Sequence, residues 1–195
     1  MGTGMIWIIF IGIAAVSWLV QMNLQNKFKK YSKIPTGNGM TGADVALKML
    51  HDNGIYDVTV THTPGHLTDH YNPANKTVNL SEGVYESNSI MAAAVAAHEC
   101  GHAVQHARAY APLTMRSKLV PVVTFASQWM TWLLLAGILL INTFPQLLLA
   151  GIILFAMTTL FSFITLPVEI NASKRALVWL SSSGITNSYN HSQAE

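Results

Sequence analysis

Apolar residues along this chain follow two patterns. Some stretches are apolar almost throughout, whereas the segment between the first and second of them mixes apolar and polar positions at helical and strand spacing. The first run, Met5 to Val20, continues uncharged to Asn26. Later, fifty consecutive residues, Leu119 to Val168, carry no Asp, Glu, Lys, Arg or His, and only the polar turn Asn142-Thr143-Phe144-Pro145-Gln146 divides them. A membrane helix needs about 20 apolar residues. The pattern therefore predicts three spans, at about 5–24, 119–141 and 147–166, the last two forming a hairpin. A soluble domain of 195 residues has no interior able to enclose the longer run. Trp129 and Trp132 fall inside it rather than at its ends and are expected to line a helix contact.

The mixed segment reads as a small α+β region. Residues 34–40 are Gly- and Pro-broken linker. Thr41, with Asp44 three residues on, is an N-cap signal for an amphipathic helix through His51 that Gly54 ends. Val58–Thr61 and Thr77–Leu80 alternate apolar with polar residues and are strand candidates. A cap region at Ser87–Ser89 opens an alanine-rich helix from Met91 to about Ala107. Beyond the hairpin, Pro167 suits the first turn of a new short helix, and the polar tail from Ser181 is expected to be disordered. The expected organisation is an anchor (1–26), a central region (27–118), the hairpin (119–168), a short helix (169–180) and a tail (181–195).

Composition and charge sharpen this into a mainly α membrane protein with three transmembrane helices. Charged residues make up 10% and hydrophobic ones 51%, with a mean hydropathy of +0.34; soluble proteins are roughly a quarter charged. A net charge of +2 excludes a nucleic-acid surface. The single cysteine, Cys100, makes no internal disulfide, and on a packed helix it is expected to be inert. All eleven Lys and Arg residues lie in 27–118 and 174–175. The positive-inside rule places both segments in the cytoplasm and the 142–146 turn outside. No Lys or Arg precedes the first apolar run, so it reads as an uncleaved anchor and not a signal peptide.

The central helix carries His98-Glu99-Cys100-Gly101-His102, the H-E-x-x-H pattern. Residues four apart stack about 6 Å apart on one helical face, so both histidines reach one ion, with Glu99 turned ~100° beside them. Gly101 and Ala103 are expected to leave room around the imidazoles. A catalytic zinc takes a third protein ligand. His106 continues the series but lies about 12 Å along the axis from His98. Glu169 is the first charge after a hairpin that returns the chain to the side it left. The assignment is one Zn²⁺ per chain on His98, His102 and Glu169, with Glu99 as general base for peptide hydrolysis. His70, Tyr71 and Arg175 are candidates for the oxyanion donor, and His106 for a substrate or outer contact. His66 and His70 are also four apart, but Pro64 and Pro73 argue against a second helical site. The strand near 77–80 is expected to align an extended peptide by main-chain pairing. The partners implied are a peptide or membrane-protein substrate and the bilayer. Two rival classes stay open, a zinc-binding membrane protein without hydrolysis and a scaffold without metal.

Gly65-His66-Leu67-Thr68-Asp69-His70-Tyr71, the helix Val95 to His106 and Leu166-Pro167-Val168-Glu169-Ile170-Asn171-Ala172-Ser173 resemble the neutral zinc metallopeptidases of bacterial membranes, the YugP-type family. The resemblance covers the first span to about Gly184. It implies zinc and residence in the bacterial cytoplasmic membrane; the fold expected is a small zincin-like α+β domain built around the motif helix, and the charge pattern turns its site toward the cytoplasm. More distantly the chain is similar to HtpX-type gluzincins, whose third ligand is a Glu two spans after the motif helix. Those relatives carry an Asp four residues beyond that Glu. Ser173 stands there in this chain, leaving Asn171 or Ser173 to hydrogen-bond a zinc histidine. The family also implies a further alanine-rich apolar segment, so the chain is expected to be a fragment.

Overall fold

A computed structural model describes residues 2–186 and Ala194. The apolar runs are helices: α1 (Gly2–Tyr31), α5 (Ala111–Leu139) and α6 (Pro145–Ser182). All three are long and apolar enough to cross a membrane. Between them lie α2 (Gly42–Asp52), β1 (Thr59–Thr63), β2 (His70–Asn72), β3 (Thr77–Ser81), the single turn α3 (Glu82–Tyr85) and α4 (Ile90–Ala107).

The caps foreseen from sequence are made. The Thr41 hydroxyl accepts from the Asp44 N–H at 3.2 Å, and the Asp44 carboxylate accepts from the Thr41 N–H at 3.0 Å. Ser89 caps α4 by accepting from Ala92 N–H at 3.2 Å. Gly54 adopts φ +73° beyond α2, in the left-handed region that glycine enters without cost. Residues 34–40 are tied down: Thr36 N–H donates to the Asn88 carbonyl at 2.7 Å, and Ile90 N–H to that of Ile34 at 2.8 Å.

The three strands form one sheet in the order β1-β3-β2, with β1 parallel and β2 antiparallel to β3. Strand β2 is short and sits after a Pro-Gly turn, which is why alternation alone did not reveal it. Because β3 is paired on both sides, its main chain has no edge left for a peptide. That corrects the expectation attached to residues 77–80. The sheet, α2 and α4 enclose the core, where Val45, Leu50, Val78, Leu80, Ala92 and Ala96 are fully buried.

In the hairpin, small residues let the helices touch. A Cβ on Gly137 would lie 2.5 Å from Leu148 Cα, and one on Gly151 would lie 2.7 Å from Leu134 Cδ2. Trp129 and Trp132 do not line this contact; they are 52% and 66% exposed and point outward. Helix α1 packs even less. Among the described residues of α1 only Phe28 and Tyr31, near its end, reach the core, and none in its apolar window is buried.

Pro167 does not begin a new helix. Helix α6 runs through it without a break, so the third apolar run and the expected short helix are one rod. Proline removes one i→i−4 hydrogen bond, while Val168, Ala172, Ala176 and Leu180, four residues apart, are all buried in the continuing face. That burial outweighs the lost bond. The tail also starts later than expected. After the Gly184 turn (φ +70°), Ile185 is buried and Thr186 N–H donates to the Leu180 carbonyl at 3.3 Å. The rest of the expected disorder, 187–193 and Glu195, falls outside the described residues.

Helices α4 and α6 meet at Gly101, where an added Cβ would lie 2.6 Å from the Ala172 carbonyl oxygen. The glycine therefore serves the approach of α6, not space around the imidazoles. Because the obstacle is backbone, Gly101→Ala should destabilise the protein by about 1–3 kcal/mol, as overpacking does. Gly83→Ala, which meets open space, should change stability by no more than about 0.5 kcal/mol. Denaturant unfolding in detergent would compare them, and equal effects would contradict the packing argument.

Candidate metal centre

The residues His98, Gly101, His102 and Gln105 are spaced three, four and seven apart, so they form one stripe along α4. That stripe faces α6. Glu169 lies one turn before Ala172 on α6, and the Gly101–Ala172 contact carries its carboxylate across to the two imidazoles. Glu169 Oε2 lies 3.3 Å from both His98 Nε2 and His102 Nε2. The rings stand edge to face with centroids 4.9 Å apart, and one donor atom from each of the three residues lies within 4.8 Å of the others.

The far side of each group is also held. His98 Nδ1 and the Ser173 hydroxyl are 3.1 Å apart, so Ser173 does reach a histidine of the cluster. His102 Nδ1 lies 3.1 Å from Gln105 Oε1. Arg116, on the first turns of α5, places Nη2 3.6 Å from Glu169 Oε1, leaving Oε2 for the imidazoles. Two imidazole nitrogens and one carboxylate oxygen, converging with their outer atoms occupied, are donor types that zinc takes in a catalytic site. The residues present fit the metal.

Glu99 lies beside the cluster, where its carboxylate accepts from the Tyr71 main-chain N–H of edge strand β2 at 3.0 Å. Burial pushes its carboxyl above the usual carboxylate range, against the pull of His98 and His102 and of that hydrogen bond. Cys100, one residue on, is buried against the Ala46 carbonyl, and burial raises its thiol pKa. It has no path to thiolate chemistry.

The cluster opens into a cavity of about 480 Å³ that His70, Tyr71, Glu99, Arg116 and Glu169 help to line. A second cavity of about 370 Å³ shares Asp69, His98 and Glu99 with it, and its wall includes Leu67, Val95, Ala176 and Leu177. His98 and Glu99 thus stand in the wall shared by the two cavities, the second of which adds more aliphatic side chains.

Two sequence candidates are placed elsewhere. His106 Nδ1 pairs with the Tyr71 hydroxyl at 2.7 Å, in a cavity with Asp57 and Lys76. Arg175 donates from Nε to Asn171 Oδ1 at 2.7 Å and lines a cavity with Arg108 and Lys174. Sequence reasoning missed Arg116 and Gln105. A signal existed for both: Arg116 is among the last charges before the uncharged run, and Gln105 is a lone amide on the histidine stripe.

Three helices long and apolar enough to cross a membrane thus adjoin a cluster of two histidines and one carboxylate that could hold a metal ion. The chain belongs to the family described as "Putative neutral zinc metallopeptidase", whose model matches residues 6–195. It is 48% identical over 170 residues to the "Putative membrane protease YugP" of Bacillus subtilis (strain 168), a match that covers 86% of this chain and 75% of the relative. No solved structure matches the chain.

Zinc affinity separates the two contenders for third ligand. Glu169→Ala should weaken zinc binding at least about tenfold, and His106→Ala should leave it nearly intact. A competition titration with the reverse ranking would move the third ligand onto α4.

Proposed function

We propose that this protein is a zinc-dependent endopeptidase embedded in the bacterial cytoplasmic membrane, with its site facing the cytoplasm. The observation that carries the reading is the delivery of Glu169 by a membrane-length helix to His98 and His102, with Glu99 in the same cavity. His98, His102 and Glu169 would hold one Zn²⁺. When bound, the metal would supply Lewis-acid chemistry, lowering the pKa of a water to about 7 and polarising a carbonyl.

Glu99 is the general base. Its carboxylate, steadied by the Tyr71 N–H, takes the proton of the attacking water and delivers it to the departing amine. Arg116 is the cation best placed to face the carbonyl oxygen as charge develops there, since it lines the cavity that Arg175 does not reach. His70 and Tyr71 remain on the cavity wall as neutral donors. The second cavity beside His98 suits an aliphatic substrate side chain. A peptide or membrane-protein segment is therefore the substrate class.

The roles of the two motif residue types separate in experiment. Glu99→Gln should keep near-stoichiometric zinc and lose hydrolysis of a casein-type substrate, whereas His98→Ala should lose the metal. Parental cleavage by Glu99→Gln would leave a zinc-binding protein whose hydrolysis runs by another route. The orientation has its own readout. A reporter fused at Asn142 should score as external and one after Lys174 as cytoplasmic, because the basic residues flank the other ends of the spans. The opposite pattern would place the cluster outside the cell.

A further inference from the structure

A cavity of about 370 Å³ at the ends of α2, α4 and α6 shares no lining residue with the two at the metal cluster. Its wall holds three cations and no carboxylate: Arg108, the C-cap of α4, and Lys174 and Arg175 of α6. Arg108 donates to Asn53 Oδ1 at 3.3 Å, and Arg175 donates from Nε to Asn171 Oδ1 at 2.7 Å, so both bond to neutral amides. Among the described residues none of the three cations enters an ion pair. Asp52 belongs to the same corner, but its carboxylate is taken by Lys48 at 2.9 Å and by the Trp179 indole N–H at 3.0 Å. Like charges gathered without a counterion repel one another, and an anion in the cavity removes that cost. Guanidinium forks match the oxygens of a phosphate, and lysine adds a point charge.

The place of the cavity along α6 narrows the source of that phosphate. The uncharged run ends at Val168, and Lys174 and Arg175 follow within about 10 Å along the axis. The headgroup layer beyond the hydrocarbon core is about 5–8 Å deep on each side. Side chains of a helix tilt toward its N-terminus, and the N-terminal part of α6 is the apolar part, so both cations lean back toward that layer. Beneath Lys174, at spacings of three and four residues, Phe163, Leu166 and Ile170 are exposed and form one stripe that rises from the uncharged run. A soluble anion uses the cations alone, whereas an amphiphile uses the stripe as well.

We propose that this cavity binds the phosphate of an anionic phospholipid, held by Arg108, Lys174 and Arg175, with an acyl chain along Phe163, Leu166 and Ile170. An occupant that touches both Arg108 and Lys174 joins the end of α4 to α6, the two helices whose crossing assembles the metal cluster. The lipid braces that crossing from the membrane surface. The assignment rests on α6 crossing the bilayer and not on hydrolysis, and lipid binding is read without any peptidase activity, so the failure of either reading is a separate result.

The test uses the full-length protein in detergent micelles, with bound lipid counted by native mass spectrometry. The probes are dioleoylphosphatidylglycerol and, as a zwitterionic comparison, dioleoylphosphatidylcholine. The glycerol lipid should bind at least about tenfold more tightly; equal binding of the two overturns the proposal. Replacing Arg108, Lys174 and Arg175 together by Gln should weaken its binding about a hundredfold, at roughly fivefold for each charge. Lys27, Lys29 and Lys33, all exposed, carry the same total charge outside the cavity. Their joint replacement by Gln should cost no more than about twofold, because exposed charges at a distance are screened. Equal losses in the two triple variants would reduce the effect to general surface electrostatics and overturn the site. Lys174→Gln alone keeps the test sound should the triple variant fail to fold: it should lose about fivefold, and an unchanged affinity again overturns the site. Millimolar inorganic phosphate should leave the lipid in place. Its full displacement would assign the cavity to a free phosphate ion and overturn the lipid.

Discussion

The close contact between α4 and α6 at Gly101 and Ala172 is the constraint on which the rest of the site depends. A single absent methyl lets the α6 backbone come within van der Waals reach of α4. The stripe that packs there is also the stripe that carries the chemistry. His98, His102 and Gln105 share one face of α4 with Gly101, and Glu169 and Ser173 flank Ala172 on α6. Packing and donor geometry are therefore set by one helix crossing and cannot be adjusted separately.

The continuity of α6 extends that constraint into the hairpin. One uninterrupted helix holds the membrane-length apolar run, the Glu169 carboxylate and the buried face of Val168, Ala172, Ala176 and Leu180. The depth and rotation of α6 in its surroundings thus fix where Glu169 points. Helix α5 contributes at the same level through Arg116, which holds the second oxygen of the carboxylate. The glycine contacts at 137 and 151 keep the two helices in register. In this arrangement a helical hairpin is part of the cluster and not merely an anchor for it.

The sheet enters through a single hydrogen bond, from the main-chain N–H of Tyr71 to the Glu99 carboxylate. Strand β2 is an edge strand, so the outward N–H of Tyr71 is free to leave the ladder. Asp69, just before it, anchors the segment by accepting from the Ser81 N–H at 2.7 Å. Glu99 is in this way gripped from the strand side while the histidines are gripped from the α6 side.

What the sequence determined by itself is what depends on local periodicity and on charge. The three apolar helices, the capped α2, the alanine-rich helix bearing His98 and Glu99, and the return of Glu169 toward them all follow from spacing and from an uncharged run long enough for two crossings. Tertiary structure decided everything that depends on which surfaces meet. It ran α6 straight through Pro167, because distant burial offset a local breaker. It turned Trp129 and Trp132 outward, gave β3 partners on both edges, and directed Gly101 at a backbone that no local rule brings near. It also put Arg116 in the cavity in place of Arg175 and set Gln105 against His102. Periodicity places a residue on a face of its own helix, but its partner across the gap depends on how closely two helices approach, and that distance is a property of the packed pair.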